Sequence, residues 1–206
     1  MYELFWVNMS LEDEDKPNLS DAPGWLSGRM LVATPGMPDM RFSRSVIYLC
    51  SHGPSGSMGL VINRLYGELN FRGLLDQLNI EMAPDARDLP IHFGGPVEPG
   101  RGFVLHSSDY SREGTTQIDD KVSLTATVEI LKALAEGAGP DRALLALGYA
   151  GWGAGQLDAE LRTNGWLVAP TDPDIIFNPD VESKWDKALA KIGISPMMLS
   201  GDIGHA

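Results

Sequence analysis

The apolar residues of this chain come in short runs that glycine and proline interrupt. The 206 residues include 23 glycines and 14 prolines, and from Gly28 onward they separate strand-sized apolar segments. Short runs bounded by turn residues are typical of β-strands and fall well below the roughly 18 apolar residues that a membrane span needs. A chain of 206 residues suits one large domain. The sequence therefore predicts a single sheet-based domain with no membrane segment.

Seven runs are predicted strands and four segments are predicted helices. Leucines and Phe71 in residues 70–79 recur at helical spacing, with Asn70 placed to cap the helix. The last helix is expected to begin at Pro179 and to extend to Ile192. Helices interspersed among strands predict an α/β (α+β) fold, in which helices pack on a mixed sheet. The predicted strands are 30–33, 45–50, 58–63, 90–93, 102–106, 143–148 and 166–169, and the other predicted helices are 125–136 and 156–163.

The charge of the chain is strongly negative and unevenly distributed. Sixteen Lys and Arg residues against 28 Asp and Glu residues give a formal net charge of −12. This charge argues against direct binding to nucleic acid or to an anionic membrane, because both need an excess of cations. Residues 1–24 hold six acidic residues and one lysine, which predicts an acidic disordered tail ahead of a domain at 25–206.

The single cysteine, Cys50, excludes an intrachain disulfide and a Cys-rich zinc site. The beginning of the chain lacks the basic start and apolar middle of a signal peptide. We therefore expect a cytoplasmic protein.

Arginines are concentrated in residues 29–72. All five cations of this segment are arginine, against two acidic residues, and a guanidinium group matches carboxylate and phosphate in shape. This cluster indicates a site for an anionic ligand. The alternative is that these arginines end strands and pair with acidic groups elsewhere. The five are Arg29, Arg41, Arg44, Arg64 and Arg72.

Two glycine-rich segments are further candidates for a binding site. Residues 148–157 (GYAGWGAGQL) lead from a predicted strand into a predicted helix, where free amides could receive an anion. The turn Gly94-Gly95-Pro96-Val97 could form a smaller nest of amides. For residues 148–157 the alternative is a tight structural turn around a packed Trp152. For Gly94-Gly95-Pro96-Val97 the alternative is a plain connection between strands.

Cys50 and His52 are two residues apart on a predicted strand and share one face. A Cys–His pair can serve as nucleophile and base, although no third, orienting group is identifiable. The alternative is that Cys50 is a small buried hydrophobe. The histidines have no metal-ligand spacing, so neither a metal site nor a cofactor is expected.

Several of these segments, in this order, resemble the YqgE/AlgH family. They are GRMLVATPGMPD at 28–39, RSVIYLCSH at 44–52, GSMGLVINR at 56–64, the turn at 94–97, and GYAGWGAGQLDAE at 148–160, followed by Asn164 and Trp166-Leu167. The resemblance covers about residues 28–192. It implies a single α/β domain on a mostly antiparallel sheet in a bacterial cytoplasmic protein. Its AlgH branch is described as transcriptional regulators of exopolysaccharide (alginate) production.

The sequence thus favours a non-catalytic regulatory protein that acts through a small anionic ligand or a protein partner. A hydrolase or transferase for phosphorylated or acylated substrates, using Cys50 or His52, is the alternative. A homodimer is the commonest assembly for such a protein. The predicted ligand-binding residues are Arg41, Arg44, Asn63, Gly94, Gly95, Tyr149, Gly151, Trp152, Gly155 and Gln156.

Overall fold

A computed structural model describes residues 26–195 of the chain. The predicted acidic tail at 1–24 lies outside these residues. Within them the chain forms ten strands, five α-helices and a 3₁₀ helix at Met40–Phe42. The strands are β1 (Met30–Ala33), β2 (Val46–Gly53), β3 (Gly56–Val61), β4 (Leu65–Asn70), β5 (Pro90–Phe93), β6 (Val97–Ser107), β7 (Thr115–Gln117), β8 (Val122–Thr125), β9 (Ala143–Gly153) and β10 (Trp166–Ala169). The helices are α1 (Phe71–Gln77), α2 (Val128–Ala135), α3 (Gln156–Arg162), α4 (Pro173–Ile176) and α5 (Lys184–Lys191).

The strands form one curled, mostly antiparallel sheet, which confirms the predicted mixed α+β fold. Its order is β10-β1-β2-β3-β9-β6-β8-β7, and β5 pairs with both β4 and β9. The β5–β9 pair is the parallel one. Strand β9 is central because its first part pairs with β5 and β6, whereas its last part pairs with β3.

Helices cover both faces of the sheet, so its central strands are apolar at consecutive positions. In β1, Met30 and Val32 join a core beneath α4 and α5, while Leu31 and Ala33 join a second core beneath α3. A third core lies against α1 and α2. Helix α1 begins as predicted, with the Asn70 side chain accepting a hydrogen bond from the backbone N–H of Gly73 at 2.8 Å.

Several predicted boundaries are wrong, and the largest errors, of five residues, concern β6, β9 and the last helix. Strand β6 begins at Val97 rather than at 102. The strand predicted at 143–148 continues to Gly153, because the glycines after Leu147 let neighbouring strands pair closely instead of forming a loop. The last helix begins at Lys184 rather than at Pro179. Residues 178–183 instead form turns, in which the Asn178 side chain accepts a hydrogen bond from the backbone N–H of Asp180.

None of the helices formed by residues 26–195 has the length and apolar character required to cross a membrane.

Candidate functional site

A cleft of about 450 Å³ opens where three separate parts of the chain meet. One wall is the loop and 3₁₀ helix at residues 37–42, and a second is formed by Pro96 and by Val97, the first residue of β6. The end of β9, helix α3 and the first residues of β10 complete it. Its lining combines apolar and aromatic side chains with a few charged and polar groups.

The cleft includes four of the residues predicted for the site: Arg41, Gly151, Trp152 and Gln156. Gly155 sits beside them as the N-cap of α3. It has a left-handed φ of 70°, and a side chain at this position would meet no atom within 4 Å of its Cβ. Arg41 of the arginine segment and three residues of the glycine-rich segment therefore line one cavity.

The Arg41 guanidinium is held by a neighbouring carboxylate. Its Nε lies 3.0 Å from Asp39 Oδ1, and its Nη2 lies 2.7 Å from Asp39 Oδ2. Asp39 also caps the 3₁₀ helix by accepting the backbone N–H of Arg41 at 3.0 Å. These hydrogen bonds from Arg41 lower the pKa of Asp39 below its ordinary value. The two charges of this wall therefore largely cancel each other.

The carboxylate of Glu160 is held in the cleft by three hydrogen bonds. Its Oε2 accepts the indole N–H of Trp152 at 2.9 Å and that of Trp166 at 2.8 Å. Its Oε1 accepts the side-chain amide of Gln156 at 2.9 Å, and the Gln156 carbonyl in turn accepts the backbone N–H of Gly153 at 3.0 Å. The two indole rings meet edge to face, with centroids 6.0 Å apart. This network ties α3 to β9 and β10 and fixes the carboxylate.

Arg44 and Asn63 take structural positions outside the cleft lining. The Arg44 guanidinium lies 4.3 Å from the centroid of the Trp185 ring and 3.6 Å from Asp186. The Asn63 side chain accepts the backbone N–H of Val46 at 2.8 Å and donates to the backbone oxygen of Arg44 at 2.9 Å. Asn63 thus joins the residue pair after β3 to the start of β2, and Arg44 joins the residues before β2 to α5.

The turn at Gly94 and Gly95 packs against β9 instead of lining the cleft. A Cβ on Gly94 would lie 2.2 Å from the backbone oxygen of Gly148, and one on Gly95 would lie 2.1 Å from the carbonyl carbon of Tyr149. Only glycine allows so close a backbone approach. The Tyr149 hydroxyl donates to Glu98 at 3.1 Å and is likewise absent from the cleft lining.

The arginines of residues 29–72 do not form a cluster of free cations. Arg64 donates to the backbone oxygens of Arg41 and Ser43, and its burial lowers the pKa of its guanidinium. Arg44 pairs with Asp186, as in the alternative in which these arginines pair with acidic groups elsewhere. Arg41 pairs with Asp39 inside the segment.

Three residues of the site, Glu160, Trp166 and Phe42, are absent from the set predicted from the sequence. Glu160 follows Gln156 by one helical turn, which places the two side chains on one face of α3. The Phe42 and Trp166 rings meet edge to face with centroids 5.8 Å apart. The spacing of Gln156 and Glu160 is a usable signal in the sequence, but the meeting of the aromatic side chains depends on the sheet order.

Cys50 lies away from the cleft and is 4% exposed. Burial raises the pKa of its thiol far above the ordinary value, so it is a poor nucleophile. His52 is better placed for chemistry, because its Nδ1 lies 2.8 Å from Ser57 Oγ and its Nε2 lies 3.8 Å from Asp158 Oδ1.

Among residues 26–195, no group of three His, Cys, Asp or Glu side chains is arranged to hold a metal ion.

Fold and cleft together define a single-domain α+β protein with a ligand-sized, partly aromatic cavity. The chain belongs to the AlgH-like family, whose model matches residues 30–197. It is 52% identical over 183 residues to a UPF0301 protein of Rhodospirillum rubrum, covering 89% of this chain and 95% of that protein. It is 55% identical over 190 residues to a UPF0301 protein of Methylocella silvestris, covering 88% of this chain and 92% of that one.

Two solved structures share the fold. The solution structure of the AlgH protein from Pseudomonas aeruginosa is similar with a TM-score of 0.73 and 42% identity, covering 90% of this chain and 98% of that one. The crystal structure of a Corynebacterium diphtheriae protein, DIP2367, has a TM-score of 0.64 at 21% identity, covering 84% of this chain and 90% of that one. At that lower identity the similarity concerns the fold alone.

Proposed function

We propose that this protein is a cytoplasmic regulatory protein that works by binding, without catalysis, and that the cleft is its binding site. The observation that carries the proposal is the convergence of Arg41, Gly151, Trp152 and Gln156 on one cavity. Ligand sites in proteins are typically concave, largely apolar, and about 300–1,000 Å³ in volume. A cleft of about 450 Å³ with a few fixed polar groups fits that description.

A regulatory role in transcription, which the family resemblance implies, would act through the bound ligand or a protein partner. A net charge of −12 opposes direct contact with DNA. The rim of the cleft supports a partner as well as a ligand, because Met40 is 76% exposed on the same 3₁₀ helix as Arg41. Val97, which lines the cleft, is 36% exposed.

Thermal-shift screening with nucleotides, phosphosugars, carboxylates and amines tests the binding role. A ligand present at about 100 times its dissociation constant adds about 2.7 kcal/mol to the free energy of unfolding. Thr163→Trp fills the cleft from its lining, whereas Arg162→Trp changes the neighbouring exposed residue, which does not line it.

We expect a ligand to stabilise the wild type and Arg162→Trp but not Thr163→Trp. Equal stabilisation of all three proteins would place binding outside the cleft. An anionic hit would support the ligand class expected from the sequence and would contradict the amine proposed below.

A hydrolase is the second candidate, and the position of His52 between Ser57 and Asp158 favours it. In such a mechanism the Ser57 oxygen would bond to the acyl carbon while His52 takes the hydroxyl proton, and His52 would return that proton to the departing alcohol or amine as its bond to the acyl carbon breaks. Water would then hydrolyse the acyl-enzyme and restore the Ser57 hydroxyl. A fluorophosphonate probe tests this directly. Covalent labelling that Ser57→Ala abolishes would support the hydrolase, and absence of labelling at Ser57 would oppose it.

A further inference from the structure

We propose that the cleft binds a small organic amine, with the ligand's ammonium group against Glu160 and its apolar body along the aromatic wall. This inference rests on the proposed function, since it names the class of ligand for the same site.

The contacts of Glu160 define its charge. All three are neutral donors: two indole N–H groups and one amide. Among residues 26–195, no Lys, Arg or His nitrogen lies within 4.0 Å of its carboxylate. A carboxylate that acts only as an acceptor has the hydrogen-bonding pattern of the ionised form. The cleft therefore contains a negative charge without a counter-ion.

Asp39, the other carboxylate of the lining, differs from Glu160 because it has a cationic partner. Arg41 neutralises it in a two-nitrogen contact. Asp39, Arg41 and Glu160 are the charged residues of the lining, so its net charge is −1. An anion entering the cleft would be repelled by the Glu160 carboxylate and would compete with Asp39 for Arg41. A cation would be attracted by the Glu160 carboxylate, which has no cationic partner in the described part of the chain.

The Glu160 carboxylate also has hydrogen-bonding capacity left. An ionised carboxylate offers about four lone-pair sites, and the three donors leave room for one more bond. A primary or secondary ammonium group can supply it. Hydrogen bonds between ionised groups are among the strongest in proteins, and the fixed position of Glu160 means that little conformational freedom is lost on binding.

The aromatic and aliphatic lining suits the rest of the ligand. Phe42, Trp152 and Trp166 line the cleft together with Met37 and Val97. Aromatic rings attract a nearby cation through their quadrupole, and the aliphatic side chains suit an apolar body. An amine that carries an aryl or alkyl group therefore matches both parts of the cavity.

Three probes of matched shape test the inference: phenethylamine, 2-phenylethanol and phenylacetate, with charges of +1, 0 and −1. Binding is followed by NMR through the indole N–H signals of Trp152 and Trp166. Trp185 is the internal control, because its indole N–H donates to the backbone oxygen of Ala33 outside the cleft. We expect phenethylamine to shift the two cleft signals and to bind at least tenfold more tightly than either analogue, equivalent to about 1.4 kcal/mol.

Two variants separate charge from structure. Glu160→Gln removes the charge with nearly the same shape, and Thr163→Lys leaves Glu160 intact but brings a cation to the exposed end of α3 beside the cleft. Each should raise the dissociation constant of phenethylamine at least tenfold, and Thr163→Lys gives the answer even if Glu160→Gln fails to fold.

Tighter binding of phenylacetate, or unchanged affinity in both variants, would overturn the amine assignment while leaving the cleft as the binding site. If none of the three probes moves the cleft signals, the amine assignment also fails. The binding role itself is then decided by the separate screen with Thr163→Trp.

Discussion

Truncation of Glu160 should destabilise the protein, because this side chain links α3 to β9 and β10. Glu160→Ala leaves the indole N–H groups of Trp152 and Trp166 without their acceptor, and these residues are only 7% and 3% exposed. A hydrogen bond to a charged group contributes about 1.5–3 kcal/mol. Two such bonds at the lower bound give about 3 kcal/mol. The bond from Gln156 adds about 0.2–0.5 kcal/mol, as is usual for an exposed pair one helical turn apart.

Urea unfolding measures this loss. With an m-value of about 2 kcal/mol/M, a loss of about 3 kcal/mol lowers the midpoint by about 1.5 M at unchanged m. Glu160→Gln is the matched control, because it keeps one oxygen for the two indoles and should lose only about 1 kcal/mol. A loss below about 1 kcal/mol in Glu160→Ala would refute the reasoning, since the indole bonds would then contribute little to the fold.

Three further predictions concern the surrounding structure. Burial lowers the pKa of Lys184 from 10.5 to about 7, so the unfolded chain binds more protons between those values. The free energy of unfolding should therefore rise from about pH 7 to pH 10. Lys184→Met should lack this contribution, so the rise should appear in the difference between the wild type and the variant. Gly95→Ala should reduce the free energy of unfolding by more than about 3 kcal/mol or prevent folding, because its Cβ would lie 2.1 Å from the Tyr149 backbone. Gly155→Ala should reduce it by about 1 kcal/mol, because only its left-handed φ opposes a side chain. Thermal unfolding of both variants checks this difference. The Cys50 thiol should react with a disulfide reagent at least about 100 times more slowly in the native protein than in denaturant, because the thiol is buried and its pKa is raised. A fast reaction of the native protein would contradict this burial.

Much of the fold could be predicted from local sequence patterns. The strand at Met30–Ala33 and the Asn70 cap follow from patterns within a few residues. The continuation of β9 through Gly148 could not be predicted in this way, because glycine is a turn signal locally. In the structure, Gly148 instead allows the backbone of Gly94 and Gly95, more than 50 residues away in sequence, to approach β9 closely.

The candidate site was predictable only in part. The composition of the segments indicates Arg41 and Trp152 as candidates. It does not distinguish Arg41 from Arg44, although Arg41 lines the cleft and Arg44 packs on Trp185. That difference depends on how β1 and β10 pair across more than 130 residues of chain. The hydrogen bonds that fix the Glu160 carboxylate are local by comparison, since Trp152 and Trp166 lie eight and six residues from Glu160.

The most direct test of the binding role is a crystal structure of the protein with the best ligand from the thermal-shift screen. We predict that the ligand occupies the cleft between residues 37–42 and α3, within hydrogen-bond distance of Glu160. A ligand seated elsewhere, for example beside His52 and Ser57, with the cleft unoccupied would contradict this prediction.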